Sequence, residues 1–307
     1  RRRGLPLRKG IEETEQGVFG HVRLPMINLS NEADQPMWVE DTLVAFVGEI
    51  FNYQKLFPRT QSDTEALAES FHTNGGPSGF HSFDGFWAAV LWEKDTTTVV
   101  TDYLSQKPLY FHADSTLVTS DLVSMRTALT VRETHLDLDE VYFSNVLKWG
   151  YDPTGRTPYV GVQQLPAGHQ LIHRGREGWT LTPYWDWNQI AFDPDLYSLL
   201  VQATANRLVG ERAPSLLLSG GLDSTILYKI LTEVLERDVR IFHTDNGEQE
   251  FVDIALGGNY STLLKSSPVS FADAVAMHQV PVDLGSMIPQ AELAKSLELE
   301  GFHMALS

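Results

Sequence analysis

Apolar positions along the chain follow two regimes. In the first half they form short runs of strand type at 43–47, 86–92, 98–102, 108–112, 117–120 and 171–173, split by turns. Residues 20–30 read as a strand leading to a turn, and 33–37 as a loop. The strand at 43–47 meets Gly48-Glu49, and 50–53 starts a turn or short helix. A helix begins after Ser62, a cap with Glu65 three residues on, and stops at Asn74-Gly75-Gly76-Pro77. Helices are also predicted at 122–129 and at 137–147, the second capped by Asp137 or Asp139. Residues 151–168 are loop-like, and 179–187 are aromatic and irregular.

Beyond a boundary predicted near 186–195, strands and helices alternate. The pattern predicts strands at 216–218, 239–243 and 303–306. It predicts helices at 224–237, at 252–264 with a break at Gly257-Gly258, and at 289–300, opened by Pro289 and stopped by Gly301. Such alternation implies a parallel sheet with helices on both faces and a ligand at the strand C-termini.

One junction in this second half carries chemistry. The apolar run ending at Leu218 leads into Ser219-Gly220-Gly221-Leu222-Asp223-Ser224. Behind it Ile226, Leu227, Ile230, Leu231, Val234 and Leu235 recur at helical spacing. A strand, a glycine turn and a helix start together make an anion cradle, because the first-turn N–H groups have no helical acceptor and the helix dipole favours negative charge. Gly220 and Gly221 allow close backbone approach, and Ser219 and Ser224 add hydroxyl donors. Asp223 beside phosphates calls for a cation between them, which argues for Mg²⁺. Neither G-x-x-x-x-G-K-[ST] nor a strand-borne G-x-G-x-x-G is present. The structural alternative is a plain strand–turn–helix corner with a capping Ser or Asp.

Composition narrows the partners. The 307 residues allow two domains with sizeable cores, and the formal net charge of −17 removes weight from a general nucleic-acid binder. No apolar run approaches membrane-spanning length and no signal-peptide pattern opens the chain, so neither a membrane nor export is expected and the protein is placed in the cytoplasm. There is no cysteine, which excludes disulfides, cysteine-ligated metal and a cysteine nucleophile among these residues.

Ser219 to Ser224 resembles the S-G-G-x-D-S loop of PP-loop ATP pyrophosphatases. Other stretches, in order, resemble glutamine-dependent asparagine synthetase: Arg1-Arg2-Arg3-Gly4, His21-Val22-Arg23-Leu24, Gln35-Pro36-Met37, Val47-Gly48-Glu49-Ile50-Phe51-Asn52, Ser62-Asp63-Thr64-Glu65, Asp84-Gly85-Phe86-Trp87, Asp102 to Tyr110 and Leu165-Pro166-Ala167-Gly168-His169. The matches depart from the family at Leu5-Pro6, where it has P-D, and at Thr101, just before the Asp102 to Tyr110 stretch, and Ser105 within it, where it has Arg and Gly.

The resemblance implies an α+β half over 1–190, a class II glutamine amidotransferase-like αββα sandwich of N-terminal-nucleophile type. It implies an α/β half over 191–307, a doubly wound parallel-sheet PP-loop domain. Arg23, Gly48, Glu49 and Asp63 take the glutamine-binding positions. Leu218, Ser219, Gly220, Gly221, Asp223, Ser224, Thr244 and Ser307 take the ATP and pyrophosphate positions, with Asp223 on Mg²⁺ and Ser307 beside Ser219. The residues also admit plain readings: Arg23 as a surface ion pair, Asp63 as a helix-start charge, Gly48-Glu49 as a turn, Lys107 as a solvated charge, Thr244 as a strand end, and Asp245 and Glu248 as a solvated turn.

The family's nucleophilic Cys is absent and its oxyanion Asn is Val47, so the glutaminase half is expected to be impaired. The family pattern extends past both ends, with a second signature, L-S-G-[DE]-G-[AS]-D-E, expected after Ser307, so these residues alone are not expected to adenylate. The implied function is an ATP-dependent amide-forming ligase that activates a carboxylate, aspartate foremost, for attack by ammonia or by nitrogen from glutamine, with a homodimer left open. The alternatives are a β-lactam synthetase-like enzyme and a degenerate nucleotide- or protein-binding relative.

Overall fold

The computed structural model describes residues 7–15, 17–175, 177–186, 188, 195–209, 214–244, 247, 249–279, 284–302 and 304–307. The expectations placed on Arg1 to Gly4, Asp245, Glu248 and His303, and on most of the 186–195 boundary, lie outside the described residues. The chain forms two compact units, Leu5–Ala191 with His278–Leu284, and Phe192–Met277 with Gly285–Ser307.

The first unit begins with the hairpin β1 (Arg8–Thr14) and β2 (Gly17–Arg23), followed by β3 (Met37–Val39) and β4 (Thr42–Ile50). The helices α1 (Tyr53–Leu56) and α2 (Asp63–Asn74) come next. Ser62 caps α2 by accepting from the Glu65 N–H at 3.2 Å, and Glu65 accepts from the Gln61 N–H at 2.6 Å. Gly75, at φ +63°, ends α2 where the pattern placed its stop. Then follow β5 (Gly85–Glu93), β6 (Thr96–Thr101), β7 (Tyr110–His112), β8 (Val118–Thr119), α3 (Leu122–Val131), α4 (Glu140–Trp149), β9 (Val162–Gln164), β10 (His169–Arg174) and β11 (Thr180–Pro183). Asp139, not Asp137, caps α4.

Six of these strands make an antiparallel sheet in the order β11-β10-β6-β5-β4-β3, and three more make a sheet in the order β8-β7-β9. Strand alternation gives the large sheet two apolar faces. Val44, Phe46, Ile50, Trp87 and Val100 pack with Leu67, Ala68 and Phe71 of α2 and with Phe80. On the other face Ala88, Val99 and Leu171 meet Leu109, Phe111 and Leu165 around the small sheet. Behind that sheet, Leu122, Met125 and Leu129 of α3 close on Val162. The layers are therefore α, β, β and α, as expected.

Two readings in this unit are corrected. The loop predicted over 151–168 contains β9, which pairs with β7, and the irregular stretch at 179–187 contains β11, the edge partner of β10. Both are short strands whose pairing comes from distant segments rather than from their own periodicity.

The second unit contains α5 (Leu196–Asn206), β12 (Ser215–Leu217), α6 (Leu222–Lys229), β13 (Arg240–Thr244), α7 (Gln249–Leu256), β14 (Thr262–Leu264), α8 (Phe271–His278), α9 (Leu284–Leu299) and β15 (Ala305–Leu306). All four strands are parallel, in the order β14-β13-β12-β15. One face carries Leu216 and Leu218 against Tyr228 and Leu231 and against Val252, Ala255 and Leu256 of α7. The other carries Leu217, Phe242 and Leu264 against Leu293 and Leu297 of α9. This is a doubly wound parallel sheet.

Four expectations change here. The helix predicted over 252–264 stops at Leu256, because Gly257 and Gly258 take φ +58° and +97°, and the chain then runs into β14. The helix predicted to open at Pro289 starts at Leu284 and holds Pro289 inside it. The helix at 224–237 starts at Leu222 and passes into a π-helical turn over Ile230–Val234. Ser307 was expected beside Ser219, but the parallel register pairs Leu306 with Leu216, so Ser307 stands level with Leu217, two positions short. The helices α5 and α8 were not predicted.

Leu216 is fully buried at the centre of this sheet. Leu216→Ala is expected to cost about 2–5 kcal/mol, read as a lowered midpoint of denaturant unfolding. An unchanged midpoint would show that β12 is not the strand on which the unit packs.

Candidate functional site

The strand order fixes where a ligand can sit in the second unit. From β12 the chain moves outward through β13 to β14, then reverses to place β15 on the other side of β12. The crevice at such a reversal, outside the strand C-termini, is where open parallel sheets bind ligands. The loop from Ser219 to Ser224 leaves β12 at that end. Leu218 still donates to the Phe242 carbonyl at 2.8 Å, so the strand stays anchored up to the residue before the loop.

Two hydroxyls hold the loop in shape. Ser224, which is buried, accepts from the Ser219 N–H at 3.2 Å and donates to the Gly221 carbonyl at 3.2 Å. Its Oγ lies 3.0 Å from Ser219 Oγ, and Ser219 Oγ accepts from the Gly221 N–H at 3.3 Å. Gly220 has φ +81°, and a Cβ there would lie 2.7 Å from Phe251 Cβ and 2.9 Å from the Val252 nitrogen. The first turn of α7 thus rests directly on the loop. Asp223 is exposed in the first turn of α6. Thr244 is exposed at the end of β13, and its neighbour His243 is buried with Nδ1 2.8 Å from Ser261 Oγ.

The donor set bears on Mg²⁺. No group of three His, Cys, Asp or Glu side chains able to hold a metal occurs among the described residues. A single exposed carboxylate beside hydroxyls and backbone N–H groups fits a Mg²⁺ shared with substrate phosphates, which needs only one or two carboxylates, and does not fit an all-protein cage. His169 and His173 are four residues apart, but both lie on β10, where that spacing is roughly 13 Å rather than one helical turn.

The first unit gathers a second polar group. Gly48, at φ +117°, lies inside β4 opposite Trp87 of β5, so close that a Cβ would fall 2.0 Å from the Phe86 carbonyl oxygen. Glu49 follows at 8% exposure and Asp63 opens α2 at 5%. Asp63 accepts from the Ile50 N–H at 3.2 Å and from the Thr64 N–H at 2.9 Å. Burial pushes Glu49 up to about 7, helped by the Asp63 charge and opposed by Lys107. Burial pushes Asp63 up to about 6, opposed by its backbone donors and by Arg23. Lys107 lies 4.9 Å from the centre of the Phe86 ring.

Arg23 is buried, which rules out a surface ion pair. Its guanidinium donates to the Ile27 and Asn28 carbonyls at 2.7 Å each and to Asp34 at 3.3 Å. Burial lowers its pKa, and Asp34 opposes that. Asp34 was missed in the sequence and also binds Arg8 at 3.1 Å; nothing in local spacing marks it. Gln35, quoted only as part of a motif, fastens β4 to α2 by accepting from the Phe46 N–H at 2.6 Å and donating to Thr64 Oγ1 at 3.0 Å. Val47 packs against the Ala88, Val99 and Leu171 core between the sheets. The site therefore holds two protonatable acceptors and a mid-strand glycine, with no amide at position 47; Gly48-Glu49 is strand, not the turn that the plain reading offered.

The folded state holds the Glu49 and Asp63 protons more tightly than the unfolded chain does. The stability they contribute is full below their ordinary values and is lost as pH rises through about 6 and 7. Denaturant unfolding from pH 4.5 to 7 is expected to show the native protein losing stability relative to Glu49→Gln. Parallel curves would remove Glu49 from the buried pair.

Comparison with known proteins follows the two units. A family model described as a glutamine amidotransferase domain matches residues 1–185, and one described as asparagine synthase matches 195–269. Amidase chry2 of Gibberella zeae is 24% identical over 90% of this chain and 40% of its own length. Asparagine synthetase B (glutamine-hydrolyzing) of Escherichia coli is 25% identical over 75% of this chain and 40% of its own length. The asparagine synthetase (glutamine-hydrolyzing) of Sandersonia aurantiaca is 27% identical over 74% and 41%. The chain spans less than half the length of these three relatives. A solved glutamine phosphoribosylpyrophosphate amidotransferase of B. subtilis aligns over 94% of this chain and 76% of its own at 14% identity, with a TM-score of 0.40. Among the described residues no helix is long and apolar enough to cross a membrane. With the amidotransferase model covering more than half of its residues and the asparagine synthase model following it, the chain belongs to the glutamine-dependent asparagine synthetase family.

Proposed function

We propose that this protein takes part in ATP-dependent amide formation, activating a carboxylate, aspartate or a similar acid, as an acyl-adenylate. The observation that carries the reading is the S-G-G-L-D-S loop at the C-terminal end of β12, where the strand order reverses. A substrate carboxylate oxygen attacks the α-phosphorus of ATP, the α–β bridging P–O bond breaks, and pyrophosphate leaves. Ammonia then attacks the acyl carbon, loses a proton, and expels AMP.

The chain's own part is positioning and charge neutralisation. Ser219, Ser224, the backbone of Gly220 and Gly221, and the first-turn N–H groups of α6 hold the β- and γ-phosphates. Leu218 and Thr244, at the ends of adjacent strands, border the nucleoside, and Ser307, the residue after β15, lies on the same side as a further contact. Asp223 would hold Mg²⁺, which when bound neutralises the phosphates and the leaving pyrophosphate. In the other half, Arg23, Gly48, Glu49 and Asp63 form the glutamine-binding side. The acceptor identity, the cytoplasmic setting and a homodimer belong to the same proposal.

Val47 favours ammonia over glutamine as the nitrogen source. A missing oxyanion donor costs about 2.7–4 kcal/mol of transition-state stabilisation. The same residue favours a second reading, a β-lactam synthetase-like reaction in which an amine within the substrate attacks the adenylate.

Calorimetry with ATP and Mg²⁺ is expected to show binding by the intact protein and weaker Mg²⁺-dependent binding by Asp223→Ala. Equal affinities would take Asp223 out of the site. Product formation by the intact protein should run with ammonium and fail with glutamine; equal rates from the two would show that Val47 does not disable the glutaminase half.

A further inference from the structure

The first turn of α7 leaves an aromatic ring in water beside the phosphate loop. Val252, Ala255 and Leu256 already supply the buried face of α7. Phe251 stands off that face at 57% exposure, and Ile254, one turn on, at 69%. No ring contact involves Phe251 among the described residues. Its placement is nonetheless set closely, because Phe251 Cβ occupies the space a Gly220 side chain would need. The exposed ring is therefore tethered to the loop itself, at the edge where β12 and β13 end. Solvation disfavours an uncovered phenyl ring, and a flat apolar partner entering the site would relieve that cost.

We propose that Phe251 is a nucleobase-stacking residue, the apolar wall against which the purine base lies when the phosphates occupy the loop from Ser219 to Ser224. The inference rests on the nucleotide reading above. It assigns the base to the α7 side of the loop, next to Thr244 at the end of β13, and leaves the β12–β15 crevice for the acyl group. Stacking on a phenyl ring does not distinguish one purine from another, since each base has a π-face. Base discrimination then falls to polar groups elsewhere.

The test compares the intact protein with Phe251→Ala, Phe251→Leu and Phe251→Trp, each confirmed as folded by thermal unfolding, against Mg²⁺-ATP, Mg²⁺-GTP and Mg²⁺-tripolyphosphate. Phe251→Ala and Phe251→Leu are expected to bind both nucleotides about tenfold more weakly, with tripolyphosphate affinity unchanged. Phe251→Trp should retain nucleotide affinity and gain a fluorescence change with ATP that tripolyphosphate does not produce. Unchanged ATP affinity in Phe251→Ala overturns the proposal, as does an equal loss for ATP and tripolyphosphate, which would mean that Phe251 acts only by holding the loop. Failure of the unsubstituted protein to bind either ATP or tripolyphosphate would instead remove the nucleotide reading, and this proposal with it.

Discussion

At two positive-φ glycines among the described residues, one in each unit, another segment of chain occupies the place where a Cβ would be. At Gly48 it is the Phe86 carbonyl, and at Gly220 the first turn of α7. Both glycines sit at positive φ, so both sterics and backbone conformation require them. Gly220 turns the chain out of β12, whereas Gly48 lets β4 run on against β5, and polar residues gather next to each. Past Gly48 the chain delivers Glu49 beside Asp63; past Gly220 it enters α6 with its first-turn N–H groups directed at the loop. A methyl group at either position would push apart elements whose packing defines the site.

The two sites use opposite electrostatics. The loop from Ser219 to Ser224 gathers backbone donors, hydroxyls and a helix N-terminus at a strand end, a combination that favours anions. The residues beside Gly48 include two buried carboxylates, and burial raises both pKa values, so each holds its proton to higher pH than an exposed carboxylate does. Lys107 and Arg23 moderate this without cancelling it. Arg23 spends most of its donors on the Ile27 and Asn28 carbonyls and on Asp34, and so closes the turn between β2 and β3 as well as facing the carboxylates.

The two units match two different family models, glutamine amidotransferase domain and asparagine synthase. Val47 stands where the resemblance places an Asn. Its side chain contributes to the core between the two sheets, where an Asn would have to bury an amide or turn it towards the pocket. Loss of the amide and gain of apolar packing are thus a single change.

Local features were legible in the sequence because their physics is local. The Ser62–Glu65 cap, the Gly75 stop and the strand–glycine–helix junction at Ser219 to Ser224 each depend on neighbours within a few residues. The parallel sheet followed from the alternation of strands and helices, and the layered sandwich from the family resemblance. What the tertiary structure decided was every pairing across long separations. Strands β9, β11 and β14 are three or four residues long and become strands only through partners elsewhere, so periodicity in so short a stretch could not identify them. The link of Asp34 to Arg23, the shared burial of Glu49 and Asp63, and the contact of Phe251 with Gly220 likewise join residues that sequence spacing leaves unrelated. Residue types set which groups could donate, accept or stack; only the folded chain determined which of them meet, because burial and backbone pairing sum over the whole unit.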